Sequence, residues 1–111
     1  MLFFAGVPLR VRVRTSGGLA AFPGLEEVRT VDAGALPAGE RERLERLVRE
    51  AGFFALPRRI PAPAGAADFQ SHDIEIDDGP RHHHVTVAEP IADPALRALV
   101  EALRRLAVPE R

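Results

Sequence analysis

Three consecutive histidines, His82, His83 and His84, give this sequence its clearest potential for metal chemistry, because neutral imidazole is a common metal ligand. Side chains alternate along a strand, so His82 and His84 would share one face while His83 points to the other. A zinc site needs three or four ligands, and the others would have to come from a neighbouring strand, where Asp73, Glu75 and His72 are candidates. Alternation places His72 on the face opposite to His82 and His84, the side that Ile74 and Ile76 share. We favour the structural interpretation, in which His83 packs at the core edge and the other two are solvated. No metal or cofactor is therefore predicted.

The other reactive side chains also favour structural roles. Asp77 and Asp78 are a pair of acids of the kind used in general acid–base catalysis, but they precede Gly79 and Pro80 in a sequence typical of a turn. Ser16 has no histidine or lysine close to it in the sequence that would activate it as a nucleophile, although distant partners stay open. The chain contains no cysteine. We predict no catalytic residue and do not expect an enzyme.

A small-residue turn after an alternating strand is the best candidate for a binding element. Two adjacent glycines allow a positive φ, so this turn can be tight or can admit another backbone closely. Leu19 and Phe22 then supply two large apolar side chains, which either project towards a partner or fold back under the hairpin as peripheral core. If they project, a pre-organised apolar tip suits a hydrophobic pocket, because docking costs little conformational entropy. The predicted protein-binding residues are Ser16, Gly17, Gly18, Leu19, Ala20 and Phe22.

Length and charge restrict the partners. The 111 residues suit one domain, and the 46% hydrophobic and 28% charged residues are typical of a soluble globular protein. Arg10, Arg12 and Arg14 would line one strand face as a phosphate-binding surface does, but the net charge of −1 and the absence of Trp and Tyr argue against nucleic acid. Residues 1–7 are apolar but lack a positive flank and are too short to span a membrane. We expect a cytoplasmic monomer that binds neither nucleic acid nor membrane.

Periodicity predicts an α+β fold. Alternation of apolar and polar residues indicates strands, and apolar residues at i, i+3, i+4 and i+7 indicate helices with one buried stripe. Short hairpins favour a four-stranded antiparallel sheet in the order ββαββα, with both helices on one face and the arginine side more exposed. The predicted elements are strands over 9–14, 26–31, 69–76 and 81–87 and helices over 37–51 and 94–106.

The same reading sets the domain limits. Residues 57–67, rich in Pro, Ala and Gly, are expected to form an exposed loop. We place an N-terminal extension at 1–9, a single domain at 10–107 and a frayed tail at 108–111.

Three stretches carry a resemblance to a known family: Ser-Gly-Gly-Leu-Ala at 16–20, Ala-Gly-Phe-Phe-Ala-Leu-Pro at 51–57 and Asp-Pro-Ala-Leu at 93–96. With them, the chain from about residue 10 to residue 106 resembles the emfourin family, small bacterial protein inhibitors of protealysin-like, thermolysin-type zinc metallopeptidases. The chain departs from the usual pattern at Ala21, where a second turn glycine often stands, and in Phe22-Pro23-Gly24, which lengthens the loop.

The resemblance implies a protein inhibitor that blocks the active-site cleft of a thermolysin-like zinc metallopeptidase made by the same cell. Our hypothesis is that the loop of residues 16–22 enters the cleft, with Leu19 or Phe22 in the hydrophobic pocket for the residue after the scissile bond. The zinc would belong to the enzyme. One alternative is a regulatory module without a peptidase target, binding another protein through the exposed sheet face and the Pro-rich loop. Another is a small metal-binding protein that uses the histidine cluster.

Overall fold

A mixed β-sheet, covered on one face by two α-helices, organises the residues that the computed structural model describes, namely 8–17, 27–63 and 70–110. Six strands are present in these ranges, and their spatial order is β3-β5-β4-β1-β2-β6. All pairings are antiparallel except the one between β3 and β5. The elements in chain order are β1 Arg10–Ser16, β2 Glu27–Asp32, α1 Ala38–Ala51, β3 Arg59–Ile60, β4 Ser71–Asp77, β5 His82–Ala88, α2 Pro94–Leu106 and β6 Val108–Pro109.

The face of the sheet that carries the core is defined by cross-strand rows. In one row Val13 of β1 lies opposite Ile74 of β4, which lies opposite Val85 of β5, and all three side chains are buried. Side chains alternate between the two faces of a strand, and along β1 this alternation places the valines in the core and the arginines on the opposite face, as predicted. We call the opposite surface the open face. As expected, Arg10, Arg12 and Arg14 are exposed there.

The two helices supply the other half of the core. Asp93 caps α2 by accepting a hydrogen bond from the Ala95 N–H at 3.2 Å, and Pro94 occupies the first turn, so the predicted bounds 94–106 are confirmed. The predicted stripe of α2 is buried throughout: Leu96, Leu99, Val100 and Leu103. Helix α1 begins one residue later than predicted, because Pro37 precedes the first helical residue as its N-cap. Gly52 closes α1 in the left-handed conformation with φ of 61°.

The prediction of a four-stranded antiparallel sheet in the order ββαββα was wrong in detail, although the α+β class and the two helices on one face are confirmed. The four long strands form the centre of the sheet, and two short strands extend its edges. Residues 59–60, assigned to a loop, pair in parallel with β5, and the Arg58 carbonyl accepts the Thr86 N–H at 2.8 Å. Residues 108–109 pair with β2, and the Glu110 N–H donates to the Val28 carbonyl at 2.9 Å. Strands of two residues have no periodicity to detect, and Pro109 fits only an edge.

Gly39, in the first turn of α1, and Gly52, the residue that follows its last turn, provide a matched test of the helix end. Gly52→Ala should lower the free energy of unfolding by roughly 1 kcal/mol, because a Cβ is disfavoured at positive φ even though the space around Gly52 is open. Gly39→Ala, the same change in the first turn, should raise it by about 0.5–1 kcal/mol, since alanine favours helical φ and nothing lies within 4 Å of the added methyl. Urea unfolding at 25 °C measures both changes, and shifts of equal sign would contradict this account of the helix end.

Candidate functional site

The predicted binding loop leaves the sheet at an end where three connections meet. Strand β1 ends at Ser16, which lies opposite Ser71 at the start of β4, and Ser71 lies opposite Ala88 at the end of β5. On the other side of β1, Thr15 lies opposite Glu27 at the start of β2. The segments that join these strands, including the one rich in proline, thus begin or end at the same edge of the domain. We call it the loop end of the sheet.

The structure describes only the first two of the predicted binding residues. Ser16 is half-buried in the last position of β1, and Gly17 is exposed with φ of 89°. A positive φ is the conformation that the glycine pair was expected to allow, and at Gly17 the chain adopts it. The remaining predicted residues, Gly18, Leu19, Ala20 and Phe22, lie outside the described residues.

We call Ser16 and Gly17, from which the predicted loop departs, the stem. A buried hydrogen-bond network lies next to it. His72 is 0% exposed and is the one polar side chain fully buried in the described residues. Its Nδ1 lies 2.9 Å from Thr15 Oγ1, and its Nε2 lies 2.8 Å from Glu89 Oε2. An ionised carboxylate only accepts hydrogen bonds, so Nε2 donates to Glu89, while the Thr15 hydroxyl satisfies Nδ1 in either direction. The network joins the end of β1, the start of β4 and the residue after β5. We call these three residues the His72 network.

The order hydroxyl, imidazole, carboxylate is also that of a catalytic triad, and its chemistry has to be considered. In a triad the imidazole takes the nucleophile's proton next to a bound substrate. Here the imidazole is enclosed, and Val87 of β5 lies directly opposite His72 in the sheet. Thr15 and Glu89 are both partly exposed, Glu89 over 28% of its side chain, but the imidazole that would have to exchange protons with a bound substrate is fully buried. This geometry favours a structural role, in which the three side chains hold strand ends together, over attack on a substrate.

Sequence reasoning placed His72 on the apolar side of β4 and considered it only as a candidate metal ligand, not as a member of a hydrogen-bond network. Its partners are 57 residues upstream and 17 residues downstream, and both depend on strand register. One signal was available, since a histidine in phase with Ile74 and Ile76 must be buried on the core face. A buried imidazole needs hydrogen-bond partners, which would have directed attention to polar residues at neighbouring strand ends.

The three consecutive histidines divide between the faces as predicted. His83 lies at the core edge, where its Nε2 is 2.7 Å from the Leu56 carbonyl and its ring packs edge-on against Phe53. His82 and His84 lie on the open face, with 57% and 39% of their side chains exposed. Their nearest carboxylate oxygens belong to Glu75, at 3.3 Å, and Asp73, at 3.8 Å. In the part of the chain that the structure describes, no three His, Asp or Glu side chains form a group that would hold a metal ion.

Acidic residues face the arginines of β1 across the sheet. Arg10 lies opposite Asp77, Arg12 opposite Glu75, and Arg14 opposite Asp73. Arg12 bridges two carboxylates, with Nη1 3.7 Å from Glu75 and Nη2 3.1 Å from Glu110. The open face therefore carries both signs of charge in alternation, which offers little to a polyanion.

A shallow cavity of about 420 Å³ lies on this face. Its lining includes charged side chains of both signs, among them Arg10, Asp32 and Glu110. The alternative function, binding of another protein through the exposed sheet face, would use this cavity.

The paired acids form the predicted turn. Asp77 Oδ1 accepts the Gly79 N–H at 2.8 Å, and Asp78 Oδ1 accepts the Arg81 N–H at 2.8 Å. The Arg81 guanidinium donates twice to Asp78 Oδ2 and stacks 4.1 Å above the Phe54 ring. Both carboxylates are thus engaged in holding the turn, at the opposite end of the sheet from Gly17.

Among the described helices none is long and apolar enough to traverse a bilayer.

Comparison with known proteins identifies a family. The sequence model of the family described as Emfourin matches residues 13–104, which is most of the chain. Neither a curated protein nor a solved structure matched.

The conformation of Gly17 generates a test of the stem. Gly17→Ala should lower the free energy of unfolding by roughly 1 kcal/mol, because positive φ is costly for a residue with a Cβ. Gly17→Asn should cost less, since asparagine visits this region more readily than alanine. Denaturant midpoints of the two variants and the parent give the comparison. Equal stability of parent and Gly17→Ala would show that the stem relaxes to another backbone conformation.

Proposed function

The chain belongs to the emfourin family, and from that premise we propose that it is a protein inhibitor of a thermolysin- or protealysin-like zinc metallopeptidase. The observation that carries the proposal is the match across residues 13–104, which includes most of the sheet and nearly all of both helices. The reactive groups in the described residues support a binding role. Asp77 and Asp78 hold a turn, and His72 is enclosed in the core.

We place the contact with the enzyme at the loop of residues 16–22. Two described features support this choice: the positive φ of Gly17, a conformation typical of a turn, and the His72 network, which holds the strand just before it. In the proposed complex the loop enters the catalytic cleft, and Leu19 or Phe22 fills the hydrophobic pocket for the residue after the scissile bond. Occupation of that pocket excludes substrate, and the zinc stays with the enzyme.

The partner follows from this mechanism. We propose that the chain acts as a monomer on a peptidase made by the same bacterial cell, in the cytoplasm. It would thereby restrain the enzyme before release. A loop that is pre-organised before it docks loses little conformational entropy on binding, which would favour tight binding through a small contact.

The alternative function is a regulatory module that binds another protein through the open face and the Pro-rich loop. The cavity of about 420 Å³ on that face is the observation in its favour. Against it, the charges around the cavity already interact within the sheet, as Arg12 does with Glu75 and Glu110. A partner would have to displace these contacts before it could use the same charged groups.

The deciding experiment is titration of the purified chain against a panel of enzymes that includes thermolysin and protealysin. Stoichiometric loss of peptidase activity towards a short peptide substrate supports inhibition. Full activity of every enzyme at a large excess of the chain would reject it in favour of the regulatory module. A thermolysin-like peptidase gene beside the gene for this chain would also support inhibition.

Substitution of the apolar tips tests the loop assignment. Leu19→Asp with Phe22→Asp should weaken inhibition by roughly 100-fold or more, since each large apolar side chain contributes about 1.5–3 kcal/mol when buried. The matched control is Val108→Asp, which places the same charge on the one large hydrophobic side chain found exposed in the described residues, 59% accessible on β6. Inhibition constants and thermal midpoints are measured for both. If the double variant inhibits as strongly as the control, the loop is not the contact.

A further inference from the structure

The His72 network lies where it would govern the direction in which the chain leaves β1. The core-face rows of the sheet are apolar through Val13, Ile74 and Val85. One step nearer the loop end, the corresponding positions of β1 and β4 are Thr15 and His72. The apolar rows thus end in a hydrogen-bonded one, directly before Ser16 and Gly17.

We infer that His72 is a positioning residue for inhibition, fixing the end of β1 from which the binding loop departs. This inference rests on the proposed function. His72 holds Thr15 at 2.9 Å and Glu89 at 2.8 Å, while the Glu89 N–H donates to the Gln70 carbonyl at 2.8 Å. Through these three contacts, the ends of β1 and β5 and the start of β4 are held in one arrangement.

Hydrogen bonds suit this task because they are directional. An apolar side chain at position 72 would fill the space but would tolerate small shifts of β1 along its neighbour, whereas an imidazole with a partner on each nitrogen allows one geometry. The carboxylate contributes most to this restraint, since bonds to a charged acceptor are shorter and stronger than neutral ones. The inhibitory loop would then start from a stem whose position is set before the enzyme arrives.

Thr15 is the best position for a test, because removal of His72 itself would open a cavity in the core. Thr15→Val keeps the shape of the side chain and removes the hydroxyl, while Thr15→Ser keeps the hydroxyl. The matched control is Thr86→Val, which removes a threonine hydroxyl that donates to Asp73 at 2.5 Å on the open face. Glu89→Gln provides a second conservative variant, since its amide oxygen still accepts from the imidazole.

The first measurement is the rate at which the inhibitor dissociates from thermolysin or protealysin, compared with the denaturant midpoint of each variant. We expect Thr15→Val to dissociate roughly tenfold faster, the factor typical of one lost buried hydrogen bond. Thr15→Ser should stay close to the parent. Glu89→Gln should dissociate at a rate between those of Thr15→Ser and Thr15→Val, because the amide oxygen still accepts from the imidazole but carries no charge. Thr86→Val should dissociate at the parental rate even where its stability falls as much. Equal rates for Thr15→Val and Thr86→Val would overturn the inference while leaving the inhibitory function intact.

The second measurement needs no enzyme. Hydrogen exchange of the free protein should show faster exchange at the amides of Ser16, Ser71 and Glu89 in Thr15→Val, with the amides of α1 and α2 unchanged. Unchanged exchange at the three strand-end amides would overturn the inference. If the parent chain inhibits no enzyme of the panel, the proposed function fails, and exchange alone decides whether His72 holds the stem.

Discussion

The burial of one sheet face under two helices is the constraint on which the rest of this structure depends. Strand β1 lies near the centre of the sheet, between β4 and β2, and alternates valine with arginine. A slip of one residue would place Arg10, Arg12 and Arg14 under the helices and Val11 and Val13 in water. The cost of burying three guanidinium groups fixes the register of β1, and through β1 the registers of its neighbours.

This constraint also sorts the side chains that have chemistry. Position parity sends His82 and His84 to the open face, where carboxylates of β4 lie near them, and sends His72 to the core face, where solvent is excluded. Histidines that look alike in the sequence thereby acquire different roles. His82 and His84 lie among the solvated arginine and carboxylate side chains of the open face. His72 instead joins strand ends at the loop end through hydrogen bonds.

Periodicity was sufficient to predict the central elements. Helix α2 was placed at its observed bounds because its start has a cap, Asp93, followed by Pro94, and its stripe has the period of a helix. The faces of β4 and β5 followed from alternation alone. The prediction failed for β3 and β6. These strands have two residues each, β3 is followed by Pro61 and β6 contains Pro109, so neither carries a pattern, and both exist because a longer neighbour offers free backbone groups.

The candidate site divides in the same way. Two adjacent glycines in the sequence indicated a turn that permits positive φ, and Gly17, the first of them, has a φ of 89°. The His72 network was out of reach because its members are far apart in the chain and meet only through the registers of three strands. A turn can be predicted from adjacent residues in the sequence. The His72 network cannot, because its residues meet only when the strands of the sheet are paired.

A polar network in this position needs an explanation beyond stability. Replacing buried polar groups with well-packed apolar ones is often neutral or stabilising, so Thr15, His72 and Glu89 are not what packing alone would select. What the network adds is a defined geometry at the loop end of the sheet, where the ends of β1 and β5 and the start of β4 lie side by side. An inhibitor that works by inserting a loop depends on that geometry, because each shift of the stem is carried into the cleft. A domain that bound its partner through the open face would have no such need at this end, which is why the network weighs in favour of the loop.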